Sequence, residues 1–399
     1  MREINTAVIG LGLRGKSNLK TIMSIDGVKI TALCDVYEDR CVEGAKIVTE
    51  KGQPEPFTTT SYKDILNRDD VEAVMVFSSW ETHIDIVCEA MRHGKTVGME
   101  VGGAETVDEC FKLVDTWEET RAPFMFLENC CFGKVEMMAK NMAEDGVFGE
   151  IVHCHGAYAH DLREEIIGGS ENRHYRLNHY LSTNCDNYPT HDLGPIAKLL
   201  NINRGNIMVR LVSVASKAAG MKEYVKKKGE DLVNKDLIGA EFAQGDIVNT
   251  LITCENGETI SLKLDTTLPR FYSREFTVRG TKGLYEQSTN STFIEGDPED
   301  GDVVHYKNMI DCATKYEDKY LPECWKSITK EIMELGHDGM DYLEFTHFFD
   351  CIANNKPFYI DVYDAASWMV VSALSKESIA KGNVPVEFPD FTRGEWKNR

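Results

Sequence analysis

The feature that most restricts how this chain can fold lies in its first 35 residues. The apolar run Ile4–Ile9 stops at Gly10-Leu11-Gly12-Leu13-Arg14-Gly15, a polar helix start follows, and a second apolar run, Val28–Cys34, ends at Asp35, twenty residues beyond Gly15. Strand, glycine turn, helix, strand and acid in that order describe a βαβ unit. The first glycine permits the tight turn, the second lets backbone approach a pyrophosphate, and the third lets helix pack on strand, with the helix N-terminus facing the phosphates. Asp35 then suits ribose hydroxyls, and its charge would repel a 2′-phosphate, so NAD is expected over NADP; Arg14 and Arg40 are cations that leave NADP open.

Further α/β units follow at 73–77, 95–99 and 124–127, each after a helical stretch, which predicts an N-terminal Rossmann domain with a doubly wound parallel sheet. The carboxyl ends of these strands are Ser78-Ser79-Trp80-Glu81-Thr82-His83, Glu100-Val101 and Glu128-Asn129. Ligands of such sheets lie outside that edge, so these turns should border the nicotinamide. After about residue 150 the runs at 151–158, 207–216, 245–254, 259–265 and 275–280 alternate between long loops. They predict a C-terminal α+β domain with an open, largely antiparallel sheet. A chain of 399 residues exceeds what one core usually supports. The expected division is 1–130 for NAD and 131–399 for substrate binding and oligomerisation, with the C-terminal helices able to pack back on the first domain. An open sheet is commonly covered by a partner subunit, so a homo-oligomer, dimer or larger, is expected.

Composition narrows the function classes. No run of about eighteen apolar residues occurs, and the N-terminus enters a strand at once, so a soluble, cytoplasmic protein is expected. A formal charge of −21 would repel phosphate backbones and anionic lipid heads, which argues against nucleic-acid and membrane partners. Twelve cysteines at no paired spacing read as reduced, mostly buried thiols. The lysine-rich stretch Lys222–Lys235 and the acidic stretch Glu295–Asp302 read as solvated loops, and the latter lacks the spaced ligands of a calcium site. His153 and His155 share a strand face as metal ligands would, but without a third ligand strand packing is the expectation, and no metal is assigned.

Four polar clusters of the second domain exceed what packing needs: Gly156–Arg163 (GAYAHDLR), Tyr175-Arg176-Leu177, Asn187–Pro195 (NYPTHDLGP) and Asp265–Ser273 (DTTLPRFYS). Together with the glycine motif, SSWETH, LENCCFG, HDGMDYLEF, DVYDAASW and PDFTRGEWK, they resemble glycoside hydrolase family 109, the NAD-dependent N-acetylgalactosaminidases, within the glucose–fructose oxidoreductase and inositol dehydrogenase superfamily. The resemblance runs in order from residue 4 to residue 397. Two positions depart from ordinary dehydrogenases of that superfamily: the lysine of their Glu-Lys-Pro is Val101, and the aspartate four residues before the histidine of the third cluster is Asn187.

The resemblance implies a glycosidase with no net redox change, acting on terminal N-acetylgalactosaminides, most readily the α-anomers. The sugar would be oxidised at C3, lose its C2 proton and its C1 leaving group, add water and be reduced again, so NAD would stay bound through turnover. No carboxylate pair is needed, unlike common glycosidases. By motif match Tyr158 is placed near C2 as base, which requires a nearby positive charge, Arg176 or His191, to ionise its phenol. His191 handles the C3 hydroxyl proton, and Arg176, Tyr188 and Tyr272 bind the sugar. Gly10, Gly12, Leu13, Arg14, Gly15 and Asp35 cradle NAD, while Trp80, His83, Glu100, Val101 and Asn129 border its nicotinamide end. Bland readings stand beside these: half-buried tyrosines, capping histidines at residues 83 and 191, and a surface ion pair at Arg176. The alternatives in function are a sugar or cyclitol dehydrogenase, which Val101 disfavours, and a non-catalytic NAD-binding sensor.

Overall fold

The structure is a computed structural model that describes residues 2–298, 300 and 305–399. The chain divides into two compact units, one of residues 1–132 and 327–366, the other of 133–326 and 367–399.

The first unit carries six strands: β1 (Ile4–Ile9), β2 (Val28–Cys34), β3 (Phe57–Thr59), β4 (Ala73–Val76), β5 (Thr96–Glu100) and β6 (Phe124–Leu127). They pair in parallel in the order β3-β2-β1-β4-β5-β6. Helices at Leu13–Ile22, Glu38–Glu50, Tyr62–Leu66, Trp80–Arg92 and Val107–Thr120 make the crossovers. Strands covered on both faces need no alternation, and β4, β5 and β6 are buried at every position. Local sequence sets the helix starts. Before Val107–Thr120, the Thr106 hydroxyl accepts from the Glu109 amide at 3.2 Å while the Glu109 carboxylate accepts from the Thr106 amide at 3.2 Å, a reciprocal cap of two otherwise orphaned amides.

The second unit holds an eight-stranded sheet of β7 (Ile151–Ala159), β8 (Met208–Ala215), β9 (Ile247–Cys254), β10 (Thr259–Asp265), β11 (Thr277–Gly280), β12 (Gly283–Glu286), β13 (Ser291–Ile294) and β14 (Val386–Glu387), in the order β13-β12-β11-β7-β10-β9-β8-β14. Every pairing is antiparallel except β7 with β10. One face packs on the helix Thr190–Leu199. Gly156 makes this approach possible, because a Cβ there would meet the Asp192 Cβ and carbonyl oxygen at 2.9 Å. On the other face the register aligns Val212, Leu251, Ser261, His155 and Thr277 in one row across five strands.

Ten of the twelve cysteines are buried. Within the acidic stretch, Glu299, Gly301 and Asp302 lie outside the described residues, but the expectation of solvated carboxylates fails at Asp297 and Asp300. Lys315 binds both, at 3.1 and 2.6 Å, and Asp300 is only 1% exposed; a cation later in the chain draws them inward. Among the described residues no helix is long and apolar enough to cross a membrane.

Candidate functional site

In the first unit the glycine turn builds a cradle with an open floor. Gly10 adopts φ +93°, and a Cβ on it would lie 2.5 Å from the Phe77 backbone; a Cβ on Gly15 would lie 1.9 Å from the Gly10 carbonyl oxygen. A Cβ on Gly12, by contrast, would meet nothing closer than the Arg40 guanidinium at 3.8 Å. Two of the glycines therefore hold the turn together, and the third leaves space in front of the helix Leu13–Ile22. That helix has no acid in its first turn, so its positive end is available to an anion. Leu13 is exposed beside it. At the end of β2 the Asp35 carboxylate accepts from the Leu11 amide at 2.7 Å and the Tyr37 amide at 3.0 Å, with Arg40 at 3.6 Å. A steep turn, amides turned inward, a bare helix terminus and a fixed acid are the parts a dinucleotide requires, and the residues present fit one.

At the ends of β4, β5 and β6 the remaining predicted residues are buried. Trp80 opens its helix and Ser79 is the cap, so His83 does not cap it. Burial pushes the His83 imidazole down to about 4 and leaves it neutral. A Cβ on Gly102 would fall 2.3 Å from the Trp80 indole; the backbone after Val101 is bare because the indole lies against it. Glu100 accepts from Arg14 at 3.1 Å, Asn18 at 3.3 Å and the Val101 amide at 3.1 Å. Arg14 also forks onto Asp341 at 2.5 and 3.1 Å, and Asn129 donates to Asp341 at 2.7 Å. Burial works against both charges of the Arg14–Asp341 pair. The attraction wins, aided by Glu100 on the arginine and His337 on the aspartate, so Arg14 is raised and Asp341 lowered. Glu344, wholly buried one turn beyond Asp341 on the helix Met340–Asn354, is pushed well above the ordinary carboxyl value by burial and then by the charges of Asp341 and Glu100.

In the second unit, five residues predicted from sequence lie on four segments that converge. Tyr158 stands near the end of β7, Arg176 opens the helix Arg176–Ser182, Tyr188 and His191 flank the start of Thr190–Leu199, and Tyr272 follows β10. The Tyr158 ring lies 4.6 Å from that of Tyr188 and 5.4 Å from His191, and Tyr188 lies 4.8 Å from His191 (centroid distances). The Arg176 guanidinium sits over the Tyr188 ring at 5.1 Å. Arg176 does pair with a carboxylate, Glu165 at 3.1 Å, but it is buried, which removes the surface-pair reading. Of the two cations offered for the Tyr158 phenol, Arg176 is the one that acts on it, but it does not prevail. Burial raises Tyr158 to about 12, and Arg176 only pulls partly the other way; desolvation outweighs one cation that a carboxylate already shares.

Two neighbours went unassigned in the sequence reading. His160 lies with Nδ1 3.5 Å from the Tyr158 hydroxyl and its ring 5.3 Å from that of Tyr272; its place two residues after Tyr158 was the available signal. Glu165 gave no such signal. Tyr272 in turn accepts from Arg274 at 3.4 Å, and Glu136 holds Arg274 at 2.6 Å. His153 and His155 are engaged by protein side chains: His153 with Thr259 at 2.9 Å and Ser261 at 3.3 Å, His155 with Ser261 at 2.8 Å and Glu275 at 3.3 Å.

Comparison with known proteins adds to this geometry. Residues 132–398 match the profile described as glycosyl hydrolase 109, C-terminal domain. The chain belongs to glycosyl hydrolase family 109. Residues 4–127 match the oxidoreductase family, NAD-binding Rossmann fold, so this member carries the NAD-binding domain. Curated relatives named alpha-N-acetylgalactosaminidase include one from Bacteroides fragilis, 39% identical over 99% of this chain and 93% of its own length, and one from Tannerella forsythia, 36% identical over 98% and 86%. Among solved structures, a levoglucosan dehydrogenase in complex with NADH and levoglucosan aligns with a TM-score of 0.74 at 17% identity, covering 97% of this chain and all of that one. An apo scyllo-inositol dehydrogenase from Lactobacillus casei aligns at 0.68 and 17%, covering 97% and 98%. At such identity the likeness concerns the fold.

Proposed function

We propose that this family 109 member hydrolyses terminal N-acetylgalactosaminides, α-linked above all, by transient oxidation of the sugar. The observation that carries the reading is the convergence of Tyr158, Arg176, Tyr188 and His191 from separate segments of the second unit, in a chain whose first unit has the dinucleotide cradle. Bound NAD would supply reversible hydride chemistry at C3 of the sugar. Gly10, Gly12, Leu13, Arg14, Gly15 and Asp35 would hold its pyrophosphate and adenosine ribose, and Trp80, His83, Glu100, Val101 and Asn129 its nicotinamide end.

His191 takes the proton of the C3 hydroxyl. Val101 is apolar and 2% exposed, so it offers no proton acceptor for that task. A ketone at C3 acidifies the C2 proton, which Tyr158 removes; the C1 leaving group departs and water adds. Arg176 gives its rigid fork of donors to sugar oxygens, and Tyr188 and Tyr272 present ring faces and hydroxyls. The small-molecule glycoside is the partner of this site. The protein works as a homo-oligomer, with a second copy covering the outer face of the β8–β11 sheet.

The test is hydrolysis of nitrophenyl N-acetylgalactosaminides in heavy water. Deuterium at C2 of the product is expected, and Tyr158→Phe lowers turnover roughly 10²–10⁴-fold with NAD still bound. Unlabelled product, or stoichiometric release of NADH as a dehydrogenase gives, overturns the reading.

A further inference from the structure

A buried phenol raised to about 12 holds its proton at neutral pH, so a tyrosine acting as base needs an acceptor for that proton within reach. His160 supplies an acceptor nitrogen at the right place. Its Nδ1 is 3.5 Å from the Tyr158 oxygen, a long contact of the kind that tightens once substrate is bound. Its backbone amide donates to the Asp265 carbonyl at 2.9 Å, which ties the residue to the end of β10, and its ring stands edge-on to Tyr158 and Tyr272 at 87° and 85°.

The charged and titratable groups around the imidazole come from four segments: Arg176, Glu165, Asp161 and His191. Asp161 is forked onto Arg163 at 2.8 and 2.6 Å, and Glu165 pairs with Arg176. Burial first, and then the charge of Arg176, lower the imidazole below its ordinary value, so it is neutral near pH 7. It remains half-buried rather than sealed.

We propose that His160 is the proton partner of Tyr158, its Nδ1 accepting the phenolic proton so that the phenolate oxygen can take the C2 proton of the oxidised sugar. The O–H bond of Tyr158 breaks and an N–H bond forms on His160. The phenolate then forms a new O–H bond with the C2 proton, and the C–H electron pair passes into the C1–C2 bond as the C1–O pair leaves. The imidazolium yields its proton to water, and the step needs no oxidant beyond the NAD of the proposed reaction. His160 acts through Tyr158, not on the sugar, and the proposal rests on the glycosidase reading above.

The experiment compares holoenzyme with His160→Gln and His160→Ala. A neutral acceptor predicts that kcat rises with pH through the titration of His160. His160→Gln should lower kcat about 10²-fold with KM and bound NAD unchanged, and should erase that acidic limb. Imidazole added to His160→Ala should restore part of the rate. Reduced nicotinamide should accumulate in both variants on mixing with substrate, because C3 oxidation precedes the stalled step. A kcat within about twofold of wild type, which is too small for a lost proton transfer, overturns the proposal. A fall in kcat with the acidic limb unmoved and no imidazole rescue does so too, since that is what lost packing gives. Failure of the glycosidase reading looks different: wild-type product then lacks deuterium at C2 whatever His160 does.

Discussion

At the scale of single residues, the glycine turn separates two glycines that hold the fold from one that leaves open space. Gly15→Ala drives a methyl to 1.9 Å from the Gly10 carbonyl oxygen, a clash with backbone that no rotamer relieves, so the turn must open and both stability and NAD retention should fall. Gly12→Ala places its methyl in open space and should change stability by under about 1 kcal/mol, yet it fills the room a pyrophosphate needs. Thermal melts and the NAD content of purified protein separate the two: a Gly12→Ala protein that keeps NAD at wild-type stoichiometry would remove Gly12 from the cradle. The turn itself is readable in sequence because a glycine triplet between two apolar runs and an acid is local. Asp341 was not readable. It joins Arg14 from 327 positions away, and no spacing rule reaches that far. The burial that raises Tyr158 is hidden from the sequence for a related reason, since it depends on segments that only the fold assembles.

At the scale of elements, long strands with apolar runs lie within about two residues of where alternation and burial place them, whereas β3, β12, β13 and β14, of two to four residues, are too short to show a period. The parallel pairing of β7 with β10 is equally hidden, because the partner of a strand is a nonlocal choice. Strand parity nevertheless has a consequence on the outer face. A solvated antiparallel face is ordinarily polar, but here Leu251 is 54% exposed and Val214 48%, both on the side opposite the helix Thr190–Leu199. A second copy packed on this face, as proposed, would cover these side chains. Leu251→Glu puts a charge where the chain makes no intramolecular core, so the fold should lose under about 1 kcal/mol while the assembly dissociates toward monomer in analytical ultracentrifugation. Equal sedimentation of variant and wild type would exclude this face as the interface.

At the scale of the whole molecule, each unit is assembled from two stretches of chain, and in the second unit the closing stretch is fastened at Asp186. Its amide donates to the Ser375 hydroxyl at 2.9 Å, its carbonyl accepts from Ser372 at 2.8 Å, and its carboxyl accepts from Thr250 at 3.1 Å. The carboxyl is fully buried, and burial raises it to about 7 in spite of Thr250. In the unfolded chain the same group titrates near 3.9 or thereabouts, about 4 kcal/mol away on the free-energy scale. The sign follows from which state holds the proton. Below about pH 4 both states are protonated and Asp186 costs nothing. Between there and about pH 7 the unfolded chain releases its proton and the folded one does not, so stability declines as pH rises. Asp186→Asn keeps the shape and the neutral charge of the protonated carboxyl, and should flatten this part of the stability curve, leaving the variant more stable than wild type at pH 7 and above. Urea melts of both proteins at pH 5 and pH 8 measure the difference. Parallel curves would mean that Asp186 is ionised in the folded state and that the closing stretch is fastened to a buried charge instead.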